Sequence, residues 1–201
     1  LVLLHAFGNG RSSNHGVPTM KLEDATGPVI LNVGCGKRYR ENMVNIDIVA
    51  LPGRRDPDVL ANALQIPLPD ACADEVMSIH NLEHLYPWEA DVAIIEWKRL
   101  LKPGGQLTLE MPDVIKCAKN LLKGYTHSGK DPVQFSYWGL YGDPTTQDQY
   151  MMHKWGWEPR TLRALLEKHG LVDIREEVPQ WHPGGREHRD FRMVSRKARG
   201  G

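Results

Sequence analysis

From residue 28 the chain alternates between short apolar runs and stretches with helical spacing. Val29–Val33, Met43–Ile48, Val59–Asn62 and Glu75–His80 are largely apolar runs of the kind that form buried parallel strands. Gln106–Met111 alternates as a fifth strand, and Leu171–Glu177 and His188–Ser195 read as two closing strands. Pro87 is placed to open a helix, with Val92, Ile95 and the set Ile94, Trp97 and Leu101 as its apolar face. Pro103-Gly104-Gly105 reads as its stop, because proline cannot continue the ladder and glycine accepts a left-handed cap. Pro112-Asp113 begins a further helix to about Leu122, and Glu158–His169 a last one, with Leu162, Leu165 and Leu166 on one side. Residues 123–157 show little periodicity, and so long an irregular stretch in a small domain points to a functional or mobile loop.

Strands alternating with helices predict an α/β fold: a Rossmann-like, mostly parallel seven-stranded sheet with helices on both faces. Only Lys37 to Asn42 separate Gly36 from the second strand. A parallel crossover normally takes a dozen or more residues and a helix, so the first crossover helix is expected to be reduced to a turn. Residues 1–27 are expected to be a flexible extension, with Met20 a candidate natural start, and residues 28–201 a single domain.

Composition narrows the function classes. With 25 basic and 25 acidic residues in a chain of 201, formal net charge is zero, which argues against a large nucleic-acid partner. A local exception is the C-terminal segment, where Arg186, Arg189, Arg192, Arg196, Lys197 and Arg199 outnumber Glu187 and Asp190; it reads as a solvated last strand and a tail. Cys35, Cys72 and Cys117 are too widely spaced for a disulfide framework or a zinc site, so no metal is expected, and reduced thiols fit a cytoplasmic protein. No apolar run approaches the roughly 20 residues of a membrane span. The opening Leu1-Val2-Leu3-Leu4 is too short for a secretory signal.

Candidate chemistry begins at Gly34-Cys35-Gly36, where glycines after a strand let backbone approach a ligand closely. Ligands of open α/β sheets bind beyond the carboxyl ends of the strands, so a mouth is expected there. Asp47, ending the second strand, offers a carboxylate to both hydroxyls of a ribose. A nicotinamide dinucleotide would also want a third glycine and a helix N-terminus for its pyrophosphate. Tyr39 stands at that glycine position, which favours a nucleoside ligand without phosphate.

Leu31-Asn32-Val33-Gly34-Cys35-Gly36-Lys37, Asn45-Ile46-Asp47-Ile48, Asp74-Glu75-Val76, His80-Asn81-Leu82-Glu83-His84 and Leu100-Leu101-Lys102-Pro103-Gly104-Gly105 together resemble class I methyltransferases dependent on S-adenosylmethionine (SAM). The resemblance spans about residues 28–175 and is closest to the type 11 group. Tyr141-Gly142, His153-Lys154-Trp155-Gly156-Trp157 and the Leu162-to-Leu171 pattern are similar to its short variety associated with polysaccharide biosynthesis. The resemblance implies SAM as cofactor, with Gly34 and Gly36 under its methionine part and Cys35 and Lys37 nearby. It further implies Asp47 on the ribose, and Ile48, Asn62, Ala63 and Leu64 around the adenine. His80 and Asn81 would face the sulfonium and its methyl group. Asn32 and Asn62 stand where the family often has acids.

Methyl transfer from SAM requires mainly that acceptor and donor be aligned, and sometimes that a proton be removed. His80 and His84 are the candidates for that base, since imidazole titrates near neutrality. Tyr141, His153, Trp155 and Trp157, with Tyr137 and Trp138, are candidates to bind a small-molecule or saccharide acceptor; a plain hydrophobic cluster under the loop is the alternative. Asn81 is followed by Leu82 and Glu83, not by the Pro-Pro-Tyr of exocyclic-amine methylases, and no Pro-Cys nucleophile is present. Both features count against a nucleic-acid base as acceptor. Three rivals remain: a non-catalytic SAM-fold partner subunit, an RNA or protein methyltransferase using the basic C-terminal segment, and a nicotinamide-dependent oxidoreductase.

Overall fold

The structure, a computed structural model, describes residues 27–124, 132–181 and 188–200, with side chains omitted for 132–135. The expected N-terminal extension, apart from Gly27, and Arg186 and Glu187 of the basic segment lie outside these residues. Seven strands form one sheet: β1 (Ile30–Val33), β2 (Val44–Asp47), β3 (Val59–Leu60), β4 (Ala73–Ile79), β5 (Leu101–Pro112), β6 (Leu171–Glu177) and β7 (Asp190–Lys197). Their order is β3-β2-β1-β4-β5-β7-β6, parallel except for β7, which runs antiparallel to both β5 and β6. The chain leaves β1 toward β2 on one side and returns to β4 on the other. The carboxyl ends of β1 and β4 therefore flank the topological switch point where such sheets bind ligands.

Helix α1 (Pro87–Leu100) crosses from β4 to β5 and buries Ala90, Ala93, Ile94, Trp97 and Leu100. That stripe differs from the one expected. Val92 and Ile95 face solvent, and the small Ala90 and Ala93 allow close approach to the sheet instead. Trp97 donates its indole N–H to the Ala63 carbonyl at 2.9 Å, fixing the loop after β3. The expected helix stop also differs. α1 ends at Leu100, and β5 starts at once at Leu101. Ala73 pairs with Leu101 but Glu75 with Gln106, so Lys102–Gly105 bulge out of the ladder, with Gly104 at φ +80°.

The 123–157 stretch contains regular structure after all: α2 (Val114–Lys123) runs just into it, and α3 (Pro132–Tyr141) and two short 3-10 turns follow. Asp113 caps α2 by accepting from the Ile115 and Lys116 amides. Helix α4 (Pro159–Lys168) buries Leu162, Leu165 and Leu166, and sits beside α1 through ion pairs of Lys168 and His169 with Asp91. No helix among the described residues is long and apolar enough to cross a membrane.

The first crossover has no helix; residues 34–43 form turns. What covers the strands there is a polar network. Asn45 donates to the Arg40 and Met43 carbonyls and to Asp58, and accepts from the Arg40 amide. Asn32 donates to Asn45 and to the Arg38 carbonyl, and Tyr39 donates to Asp58 at 2.6 Å. Buried polar groups are stable only when satisfied, and these strand asparagines satisfy the turn backbone that no helix would.

Strand β7 is not the solvated strand expected from its charge. Arg189 pairs with Asp190, and Arg192 with Glu110 and Glu177, all but Glu177 essentially buried.

Candidate active site

The chain turns out of β1 through Gly34 (φ +73°) and Gly36 (φ +51°). The Gly34 and Cys35 amides donate to the Ile46 carbonyl, which folds this turn over the end of β2. A side chain at Gly34 would collide with Asn81, whose Cγ lies 2.4 Å from the ideal Cβ position. Asn81 is itself fixed: it donates to Ser78 Oγ at 3.0 Å, and Ser78 Oγ donates to the Val33 carbonyl at 3.2 Å. The ends of β1 and β4 are thus knit together at the switch point.

Asp47 follows on β2. Its Oδ2 accepts from the Gly36 amide at 2.7 Å and its Oδ1 from the Val49 amide at 3.3 Å. The carboxylate is held at the rim, and Ile48 beside it is half exposed. Cys35 is buried, and burial first, then Asp47 and Asp58, pushes its thiol up to about 12, so it is a neutral packing group. Lys37 is exposed. Asn62 closes an Asx turn, accepting from the Leu64 amide at 2.9 Å, while Leu64 packs against the core. Glycine turn, Asp47 and the Asn62–Leu64 turn all sit at the carboxyl ends of neighbouring strands.

Beyond β4 the chain makes a tight turn. His80 adopts φ +51°, a conformation rare for a residue with a side chain and common at functional sites. Its amide donates to the Glu110 carbonyl, and its ring lies between two carboxylates, Nδ1 at 3.2 Å from Glu83 and Nε2 at 3.2 Å from Asp190. Burial pulls the imidazole pKa down, but Asp190 and Glu83 together outweigh it and hold it up at about 9. The two flanking carboxylates thus favour the protonated form of His80, which counts against it as a base. Asp190 and Glu83 are correspondingly held well below the usual carboxylate range, His80 overcoming the cost of their burial.

A short 3-10 turn, Leu82–His84, carries Glu83 inward and leaves His84 half exposed. The main chain of Glu83 accepts from the Lys154 and Trp155 amides, which docks the segment after α3 against this turn. His153 thereby arrives beside Glu83 and His84, with its ring edge-on to His84 at 4.9 Å between centroids. One ligand-type atom from each of Glu83, His84 and His153 lies within 4.8 Å of the others. No metal-ligand spacing is visible along the chain, because His153 lies nearly seventy residues beyond His84. Burial lowers the pKa of His153 despite the pull of Glu83.

Of the other expected acceptor-site residues, Trp155 and Tyr141 are exposed, and Tyr141 stacks on Tyr137 at 6.1 Å. Trp157 is not among them. It is 5% exposed, packs in the hydrophobic core, and pairs by its backbone with Asp113 and Val114. Glu83 and Asp190, which the fold brings against His80, are not singled out by the sequence reading. Glu83 looks like an ordinary first-turn acid, and nothing local connects Asp190 with His80.

Residues 34–109 match the model of a family described as a methyltransferase domain. No curated protein matches the chain. Among solved structures, a SAM-dependent methyltransferase from Methanosarcina mazei is similar at 20% identity and TM-score 0.59, over 90% of this chain and 97% of that one. One from Archaeoglobus fulgidus is similar at 18% identity and TM-score 0.57, over 86% and 87%. The 1,6-didemethyltoxoflavin-N1-methyltransferase of Burkholderia thailandensis, with bound 1,6-didemethyltoxoflavin and S-adenosylhomocysteine, is similar at 17% identity and TM-score 0.54, over 89% and 74%. The chain has the Rossmann-like methyltransferase fold, and its stretch from Gly34 to Leu109 matches the methyltransferase-domain family.

Proposed function

We propose that the protein is a SAM-dependent methyltransferase acting on a small-molecule acceptor, with a saccharide as the first class to test. The observation that carries this reading is the rim at the switch point, where the Gly34-Cys35-Gly36 turn holds the Asp47 carboxylate at 2.7 Å from the Gly36 amide. Asp47 would accept from the ribose hydroxyls, Ile48 and the Asn62-Ala63-Leu64 turn would flank the adenine, and Cys35 and Lys37 would line the methionine part. His80 and Asn81 would face the methyl group. The acceptor nucleophile attacks the methyl carbon, the carbon–sulfur bond breaks with its electron pair going to sulfur, and S-adenosylhomocysteine leaves. His80, held between Glu83 and Asp190, would position the turn rather than take the proton, which leaves His84 as the candidate base. The exposed Tyr141, Tyr137 and Trp155 suit a sugar or another polar ring. The heterocycle bound by the Burkholderia protein supports a small acceptor, and the short polysaccharide-associated variety remains part of the proposal. Three free thiols fit a reducing, cytoplasmic setting.

The rivals lack comparable support. A dinucleotide pyrophosphate would need a helix N-terminus after Gly36, and the described chain has turns there. An RNA reading leaned on the basic C-terminal segment, yet Arg189 and Arg192 are spent on buried carboxylates. Titration calorimetry with SAM and S-adenosylhomocysteine, with NADH as comparator, tests the proposal. Micromolar SAM binding that weakens at least tenfold in Asp47→Ala is the expected result. A folded protein that binds no SAM would leave the non-catalytic partner subunit as the better reading.

A further inference from the structure

We propose that Glu83, His84 and His153 form a binding site for a divalent transition-metal cation of the class that includes Zn2+. Three observations converge on it. First, the three side chains come from two segments far apart in the chain, yet present one ligand atom each within 4.8 Å of one another. Second, both rings are already set. His84 Nδ1 lies 3.1 Å from the Met152 carbonyl and His153 Nδ1 lies 3.0 Å from the Gly139 carbonyl. A carbonyl only accepts, so each neutral ring carries its proton on Nδ1 and its lone pair on Nε2. Metal-binding histidines are oriented in this way, by donation of the second ring nitrogen to a carbonyl or carboxylate. Third, Glu83 is 2% exposed and its Oε2 has no hydrogen-bond partner among the described residues. An orphaned buried carboxylate oxygen is costly, and native structures rarely keep one without an ion or water to meet it.

Hydrogen bonding inside the cluster does not account for the arrangement. His153 Nε2 is 3.9 Å from Glu83 Oε1, too far for a hydrogen bond, and the Nδ1 protons are committed to the carbonyls. Glu83 Oε1 is held by His80, which Asp190 holds in turn, so the carboxylate ligand has its own outer support while Oε2 is left over. Tetrahedral bonds of about 2.0–2.2 Å separate ligand atoms by about 3.3–3.6 Å, so an ion closes the site with movements of no more than about 1.5 Å. The donor set also selects the metal. Two imidazoles and one carboxylate suit Zn2+, Fe2+, Co2+ or Ni2+, whereas Mg2+ and Ca2+ prefer oxygen alone. Three protein ligands leave a position for water or for an acceptor oxygen, the pattern of catalytic sites rather than closed structural ones.

Metal binding does not depend on the methyltransferase reading and can be measured without SAM. The full chain, freed of any affinity tag and treated with chelator, is titrated with Zn2+ and with Co2+. Its metal content is measured after desalting. We expect one equivalent bound at micromolar Kd or tighter, a visible Co2+ absorption, and at least a tenfold loss in His84→Gln and in His153→Gln. His169→Gln, whose ring is paired with Asp91, should bind as the parent does. Circular dichroism checks each variant; should His153→Gln fail to fold, the half-exposed His84 carries the comparison. Absence of stoichiometric binding by folded protein, or undiminished binding in His84→Gln, overturns the proposal.

Discussion

The two glycines of the turn after β1 make different demands, and replacing each with alanine separates them. Gly36 needs only its backbone conformation: at φ +51° an added Cβ meets nothing within 4 Å. A left-handed residue with a side chain costs about 1–2 kcal/mol, and that is the expected loss in Gly36→Ala. Gly34 carries the same backbone cost at φ +73°, but its added Cβ would also lie 2.4 Å from Asn81 Cγ and 2.8 Å from Asn81 Cβ. Carbon atoms settle at about 3.5–4.0 Å, so Asn81 must move by more than about 1 Å and give up its bond to Ser78. Overpacking of this kind adds about 1–3 kcal/mol, so Gly34→Ala should lose about 2–5 kcal/mol in total. Urea unfolding reads both losses, as a lower midpoint at unchanged slope. Asn81→Gly in the Gly34→Ala background removes the obstructing side chain, and a double-mutant cycle should return a favourable coupling of at least about 1 kcal/mol. Equal losses in the two alanine variants, or zero coupling, would refute the packing of Asn81 over the glycine turn.

Three further outcomes follow from the same contacts. Asn45→Ala should cost about 3 kcal/mol, because it leaves several partly buried partners, Asp58 among them, without their bonds, and hydrogen exchange should show residues 38–43 losing protection before the strands do. Asp113→Ala removes the acceptor of the Ile115 and Lys116 amides and should lower stability by about 0.5–2 kcal/mol, read by thermal melting. Cys35, with its thiol pushed up to about 12, has a thiolate fraction of about one in ten thousand at pH 8 against about one in ten for a thiol titrating at 9. Mass spectrometry should therefore find it unmodified by iodoacetamide while the protein stays folded, and rapid alkylation would show that this segment opens.

What could be read along the chain and what could not divides by how far apart the contributing residues lie. The seven strands, the turn at Gly34-Cys35-Gly36 and the place of Asp47 at the end of the second strand were legible, because each rests on a few neighbouring residues whose pattern carries the physics. The face of α1 was misread because Ala90 and Ala93 carry little hydrophobic weight in a pattern, yet their smallness is what lets the helix lie close to the sheet. Pro103-Gly104-Gly105 was misread because the same residue types that stop a helix also permit a bulge at the start of a strand. Trp157 was grouped with its aromatic neighbours, yet it is buried in the core, placed there by a backbone pairing with the distant Asp113 that no local pattern shows.

The asparagines make the same point in the other direction. Asn32 looked like a departure from the acid usual at that place, and Asn45 was given no role of its own. In the fold they are what allows the first crossover to dispense with a helix. A turn laid over strands must find partners for its carbonyls and amides. An amide side chain donates and accepts at once, which a carboxylate cannot do. Asn45 uses both capacities: its two N–H groups are shared among the Arg40 and Met43 carbonyls and Asp58, and its oxygen accepts from the Arg40 amide. Asn45→Asp would keep the shape and the acceptor but remove the donor, and place a second carboxylate beside Asp58. It should therefore destabilise the turn more than Asn45→Ala does at neutral pH, with the excess shrinking as the pH falls and the carboxylates take up protons. Urea midpoints of the two variants at pH 7 and pH 4 measure this, and a difference that does not change with pH would show that donation by Asn45 is not what holds the turn.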